Sequence, residues 1–173
     1  GHVAVLALPG LDAVCVSFEP SPTEGHAALL FANSLENYNQ VLQALFAADI
    51  RKMVHGAKEL EKELMDQGLN PQGIRFDTEI AAYLLSPTDG SYELEKLGIT
   101  YFNQEFPKAK EYLAPDAFGP LADPAGPAEA MCAHAALAAA LYRALAPKLE
   151  ELDMHELYYG LELPLCPVLA EME

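Results

Sequence analysis

Three short apolar runs open this chain, and the turns between them leave no room for a helix. Val3–Leu8 ends at Pro9-Gly10, Ala13–Phe18 ends at Glu19-Pro20-Ser21-Pro22, and Ala27–Phe31 follows. Strands joined this closely pair antiparallel, because a parallel neighbour needs a long crossover. The rhythm then changes. Tyr38, Val41, Leu42, Leu45 and Phe46 recur at helical spacing behind a capping-box pair, Asn33 and Glu36. Lys52–His55 reads as a strand that this helical crossover sets parallel to an earlier one. A helix with Ala57, Leu60 and Leu64 on one stripe follows and stops at Gly68-Leu69-Asn70-Pro71. Gly73–Phe76 is a further strand. Asp77 or Thr78 caps a helix over Glu79–Leu85, and Ser91 caps another through Leu97. The order predicts an α/β domain: three antiparallel strands, then parallel additions, flanked by helices.

Residues 113–127 break the alternation, with Pro115, Gly119, Pro120, Pro124, Gly126 and Pro127 making a loop that Leu113, Phe118 and Leu121 anchor. An alanine-dominated helix spans about Ala128 to Leu145, with Leu137, Leu141 and Leu145 four residues apart. Pro147 ends or kinks it. Asp153 caps a final amphipathic segment with Leu157, Leu161 and Leu165 on one face, bent or restarted at Pro164 and Pro167.

Composition removes several function classes. Ten Lys and Arg stand against 26 Asp and Glu, a formal charge of −16, so the basic footprint of a nucleic-acid binder is absent. No apolar run reaches the ~20 residues of a membrane span, and Gly1-His2-Val3 does not open a secretory leader. The missing initiator Met suggests a piece of a longer protein. Cys15, Cys132 and Cys166 are odd in number and far apart in sequence, which fits reduced, mostly buried thiols in a cytoplasmic protein rather than disulfides or zinc.

The stretches FDTEIAAYLLSP (76–87), SYELEKLGITYF (91–102) and ELYYGLELPLCPVLAEME (156–173) resemble bacterial DNA polymerase I. The first two resemble its 3′–5′ exonuclease domain, and the third resembles the helix leading into its polymerase domain. The resemblance implies a ribonuclease H-like fold. It divides the chain into an exonuclease-like domain over 1–150 and a connecting helix over 151–173, with the polymerase domain of the same chain as partner. It also implies two divalent metal ions about 4 Å apart, held by carboxylates from three motifs. The first motif falls on Ala7 and Pro9, the second on Gly56 and Leu60, the third on Ala130 and His134. None of these six is an acid. Val3–Leu11 and Ala130–Leu145 contain no carboxylate at all, and Glu59 and Glu61, beside Leu60, are expected to point away from its stripe. On this reading no cofactor, metal or catalytic residue remains.

Other residues are assigned on the same terms. His134 shares a stripe with Leu137 and Leu141, so it reads as a hydrogen-bonded core residue, and His55 as the other histidine of the cleft. Lys58 is either a remnant of the cleft or a solvated helix lysine. The clusters Glu59-Glu61-Glu63 and Glu150-Glu151-Asp153 read as solvated faces, and Tyr158-Tyr159 as packing residues. No glycine-rich phosphate loop and no zinc spacing occurs.

The expected role is therefore a vestigial, inactive exonuclease domain that supports a polymerase engaged in DNA replication and repair. Two alternatives stand beside it: an active nuclease using displaced acids such as Asp12, Glu19 or Asp77, and a free-standing α/β interaction module. DNA reaches the parent protein chiefly through the polymerase domain. The 173-residue chain should give no measurable shift of labelled primer–template at physiological salt, and sub-micromolar binding would overturn the charge argument.

Overall fold

A computed structural model describes residues 3–17, 27–32, 35–153 and 163–172. Its five strands are β1 (Val3–Ala7), β2 (Ala13–Ser17), β3 (Ala27–Phe31), β4 (Lys52–Val54) and β5 (Ile74–Asp77). They form one sheet in the order β3-β2-β1-β4-β5. β1 pairs antiparallel with β2 and β2 with β3, while β4 lies parallel to both β1 and β5. This is the mixed sheet expected from the order of apolar runs, and it agrees with the ribonuclease H-like fold that the resemblance implies. The helices are α1 (Tyr38–Leu45), α2 (Ala57–Asp66), α3 (Thr78–Leu85), α4 (Leu94–Phe102), α5 (Ala109–Tyr112), α6 (Ala125–Glu151) and α7 (Leu163–Met172).

Alternation along the strands sends side chains to two cores. On one face Val5, Val14, Val16 and Val54 pack with Leu42 and Phe46 of α1 and with Ala57, Leu60 and Leu64 of α2. On the other, Ala4, Met53 and Phe76 pack with Leu137, Leu141 and Leu145 of α6. Helix α6 is buried along most of its middle, from Ala135 to Leu141, where five alanines let its backbone approach the sheet closely. Such a helix needs no polar face over those turns. Cys15 of β2 and Cys132 of α6 meet across this contact as thiols, with their Sγ atoms 3.8 Å apart. Burial pushes the Cys15 thiol well above the usual range.

Two buried polar groups organise the turns. Lys52 is buried in β4, and its Nζ donates to the carbonyls of Leu45, Ala47 and Ile50 at 2.8, 3.0 and 2.6 Å. Gly73 sits against this group at φ 78°, and a Cβ there would lie 2.4 Å from the Ile50 oxygen and 2.7 Å from Nζ. Only glycine fits. Asp77 ends β5 and caps α3 by accepting from the Glu79 N–H at 2.8 Å. The same carboxylate accepts from the Gly56 and Ala57 N–H groups at 3.0 and 2.7 Å, so it caps α2 as well.

Several expectations need correction. Helix α6 begins at Ala125 and continues through Pro147 to Glu151, because the tertiary contacts of Leu145 and Leu149 outweigh one missing backbone bond. Glu93, not Ser91, precedes α4. The short α5 occupies a stretch with no assigned element. Phe118 stacks on Phe31 with centroids 5.6 Å apart, and Leu113 packs nearby, but Leu121 is fully exposed. In α7, Cys166 and Ala170 are buried, whereas Leu165 is exposed. Asp153 adopts φ 58°, and the segment it was expected to cap, with Leu157, Tyr158, Tyr159 and Leu161, lies outside the described residues, as does Asn33.

Removing the double cap should be costly. Asp77→Ala is expected to lose about 3 kcal/mol in urea unfolding, because three helix-end donors lose their acceptor. Asp77→Asn should recover part of that loss, and a change in Asp77→Ala below about 1 kcal/mol would remove Asp77 from its organising role.

Candidate functional site

Two adjoining hollows open where the chain leaves β1 and β4. The larger, about 430 Å3, is lined in part by Leu6, Ala7, Pro9, His55, Tyr92 and His134. The smaller, about 130 Å3, shares Leu6, Ala7, Pro9 and His55 and adds Gly56, Glu59, Leu60 and Glu63. Five of the six positions matched to the family's metal motifs therefore surround one place: Ala7, Pro9, Gly56, Leu60 and His134. Ala130 is buried one turn before His134 and lines neither hollow. Leu8 is also absent from the walls, since it belongs to the core with Ala13, Cys15 and Phe118.

The histidines are held differently. His134 is buried, and its Nε2–H donates to the Pro107 carbonyl at 2.5 Å, as expected for a hydrogen-bonded core residue. His55 follows β4. The Thr78 hydroxyl gives its proton to the Val54 carbonyl at 3.2 Å, so its lone pair faces the His55 Nδ1–H at 2.8 Å. That assignment leaves Nε2 bare, and it is buried with no hydrogen-bond partner. Glu79 Oε2 stands 3.6 Å away, too far for a hydrogen bond. Burial lowers the His55 pKa, opposed mainly by Asp77. Burial also raises the Glu79 pKa, with Asp77 and Glu59 adding to it.

Acids do approach this region, but from its edges. Glu79, Glu93 and Glu95 border the larger hollow, with Lys110 as the single Lys or Arg among its lining residues, and Glu59 and Glu63 border the smaller one. Glu59 thus stands at the rim beside Leu60 rather than pointing away. Among the described residues no three His, Cys, Asp or Glu side chains gather as a cation-holding group. The donor set does not fit a pair of divalent ions, which need several oxygens each at short range. Of the displaced acids, Asp77 is committed to three backbone donors, Asp12 is exposed beyond β1, and Glu19 lies outside the described residues.

Residues 17–108 match the family model for the DNA polymerase I, ribonuclease H-like domain. The chain belongs to this family. DNA polymerase I of Mycobacterium tuberculosis is 30% identical over 155 residues, covering 87% of this chain and 17% of the relative. The chain thus spans about a sixth of the length of that polymerase. Among solved structures, the POL domain of Pol1 from M. smegmatis, in complex with DNA primer-template and dNTP, superposes with a TM-score of 0.74. It is 24% identical and is matched over 99% of this chain and 28% of its own. Brucella melitensis NrnC bound to pGG gives a TM-score of 0.76 at 19% identity, over 99% of this chain and 83% of its own. At these identities the two likenesses show a shared fold. Among the described residues of this polymerase I domain, no helix is long and apolar enough to cross a membrane.

One acid departs from its expected solvated place. Glu61 is buried, 4% exposed, because positions 57, 60, 61 and 64 together make the inward stripe of α2. That spacing was visible in the sequence, but the charge hid it. Its Oε2 has no hydrogen-bond partner, and burial, with Asp77 contributing, pushes its pKa up to about 7. A raised carboxyl pKa means the folded state holds the proton more tightly, so stability is full below about pH 4.5 and falls as pH rises through 7. Glu61→Gln removes that loss. Its melting temperature should match the parent near pH 4.5 and exceed it by several degrees at pH 8, by calorimetry, and an unchanged difference across this range would refute the assignment.

Proposed function

We propose that this domain is a catalytically inactive ribonuclease H-like domain that serves its parent DNA polymerase I as architecture. What supports the reading is one observation: the positions matched to the family's metal motifs are Ala7, Pro9, Gly56, Leu60, Ala130 and His134, and none of them is an acid. Five of them line hollows where no cation-holding group forms among the described residues. Those positions carry no carboxylate with which to hold the ions that would activate a water and stabilise a departing 3′ oxygen. The surrounding glutamates would also repel a DNA backbone.

The retained parts have mechanical roles. The sheet, both cores and the Asp77 double cap keep the domain folded, while the segment from residue 151 onward connects it to the polymerase domain. In that arrangement the polymerase domain is the partner, DNA is gripped by that domain, and the setting is replication and repair in the cytoplasm. No metal ion or other cofactor takes part in this domain. An active nuclease built on displaced acids has less support, since Asp77 has its oxygens occupied and is buried. Family membership also weighs against a module unrelated to any polymerase.

Two measurements test the proposal. The 173-residue chain should release no 3′ nucleotides from labelled single-stranded DNA with magnesium or manganese, and turnover abolished by Asp77→Asn would refute inactivity. Excising this domain from the full polymerase should lower its melting temperature by several degrees and reduce primer extension. Unchanged stability and extension would refute the architectural role.

A further inference from the structure

The seam between β2 and α6 brings two thiols together away from the hollows. Cys15 stands at the middle of β2, in register with Leu6 of β1 and Leu29 of β3, and is fully buried. Its S–H donates to the Sγ of Cys132, 3.8 Å away across the seam, and Cys132 is only half-buried. An isolated core cysteine behaves as a small apolar residue. Two thiols that face each other, one of them partly open to solvent, make a dithiol. Neither cysteine lines either hollow.

A disulfide holds its sulfurs at about 2.05 Å, so these two must close by about 1.8 Å. Rotation about the two Cα–Cβ bonds supplies a shift of that size. The elements that carry them are already close, since Ala128 and Ala135, a turn to either side of Cys132, pack in the same core as Cys15. Cys166 is the natural control. It packs with Val14 and Val16 in the core on the other face, so the sheet itself separates it from Cys15.

The two thiols have different parts to play. A thiolate, not a thiol, attacks an oxidant. Burial, then the charge and hydrogen bond of Cys132, keeps the Cys15 proton in place, which leaves the half-buried Cys132 as the attacking group. The oxidant is hydrogen peroxide. The Cys132 thiolate bonds to one peroxide oxygen, the O–O bond breaks, and hydroxide leaves with the electron pair, giving a sulfenic acid on Cys132. Cys15 Sγ then attacks the Cys132 sulfur. The S–S bond forms, the S–O bond breaks, and the departing hydroxide takes the Cys15 proton and leaves as water. Two thiols are oxidised to one disulfide, and one peroxide is reduced to two waters.

We infer that Cys15 and Cys132 form a reversible disulfide under peroxide, which locks the middle of the sheet to α6. The bond joins positions 117 residues apart, so it restricts the unfolded chain strongly. It also fixes the sheet to the helix that runs on to Glu151.

The test treats the 173-residue chain with hydrogen peroxide, quenches with catalase and counts thiols in denaturant with an alkylating reagent. The count should fall from three to one, with peptide mapping joining Cys15 to Cys132 and leaving Cys166 alkylated. Dithiothreitol should restore all three thiols. The oxidised chain should melt about 5 °C or more above the reduced one. Cys132→Ser, at a half-buried position, should abolish both changes, and Cys166→Ala neither. Cys15→Ala should leave a sulfenic acid on Cys132 that dimedone traps. Three thiols surviving peroxide, a bond to Cys166, a bond between two chains, or an oxidised chain that melts where the reduced one does would each overturn the assignment. Nuclease activity in the same preparation would contradict the proposed function without touching this result.

Discussion

Asp77 joins the parts of this domain that the chain makes separately. One carboxylate receives the first N–H groups of α2 and one from α3, and it sits at the end of β5. The positive ends of two helix dipoles therefore converge on one negative charge, which satisfies donors that would otherwise face the interior bare. Gly56 makes this possible by taking φ 86°, turning the chain out of β4 so that its N–H and that of Ala57 aim at the same acceptor. The positions of His55, Thr78 and Glu79 follow from that convergence. The shape of the hollows therefore depends on an acid that is part of the frame.

The charge distribution explains why an intact fold and a working cleft can separate. Cores on the two sheet faces are built from apolar residues, most of which lie away from the hollows. Glutamates border the hollows, and among the described residues they do not gather into a group that could hold an ion. Lys52 shows the contrary case of a charge retained for folding, since it caps three carbonyls of the turn before β4. Polar groups in this domain are best sorted by what they bind, and most of the buried ones bind backbone.

Much of the architecture was legible in the sequence because its signals are local. Short turns specified antiparallel pairing, helical crossovers specified the parallel additions, and Asp77 before a helical stripe specified a cap. The inward stripe of His134, Leu137 and Leu141 was equally readable. What escaped depends on distant partners. The second capping role of Asp77 spans 20 residues and more, Lys52 looked like an ordinary strand lysine, and Glu61 looked solvated because its charge outweighed its spacing. The exposure of Leu121 and Leu165 and the continuation of α6 past Pro147 follow from what packs nearby, which no window of sequence reports. Cys15 and Cys132, 117 residues apart, meet only because α6 crosses the sheet.

The closeness of α6 to the sheet carries a corollary. Ala130 is 1% exposed, and its neighbours Met131, Ala135 and Ala138 are sealed in as well. A mutation placing a larger side chain at 130 would have to open a helix–sheet seam already closed around a methyl group. Such a change thus demands simultaneous adjustments on both sides of the seam. In that sense the seam itself filters which side chains position 130 accepts.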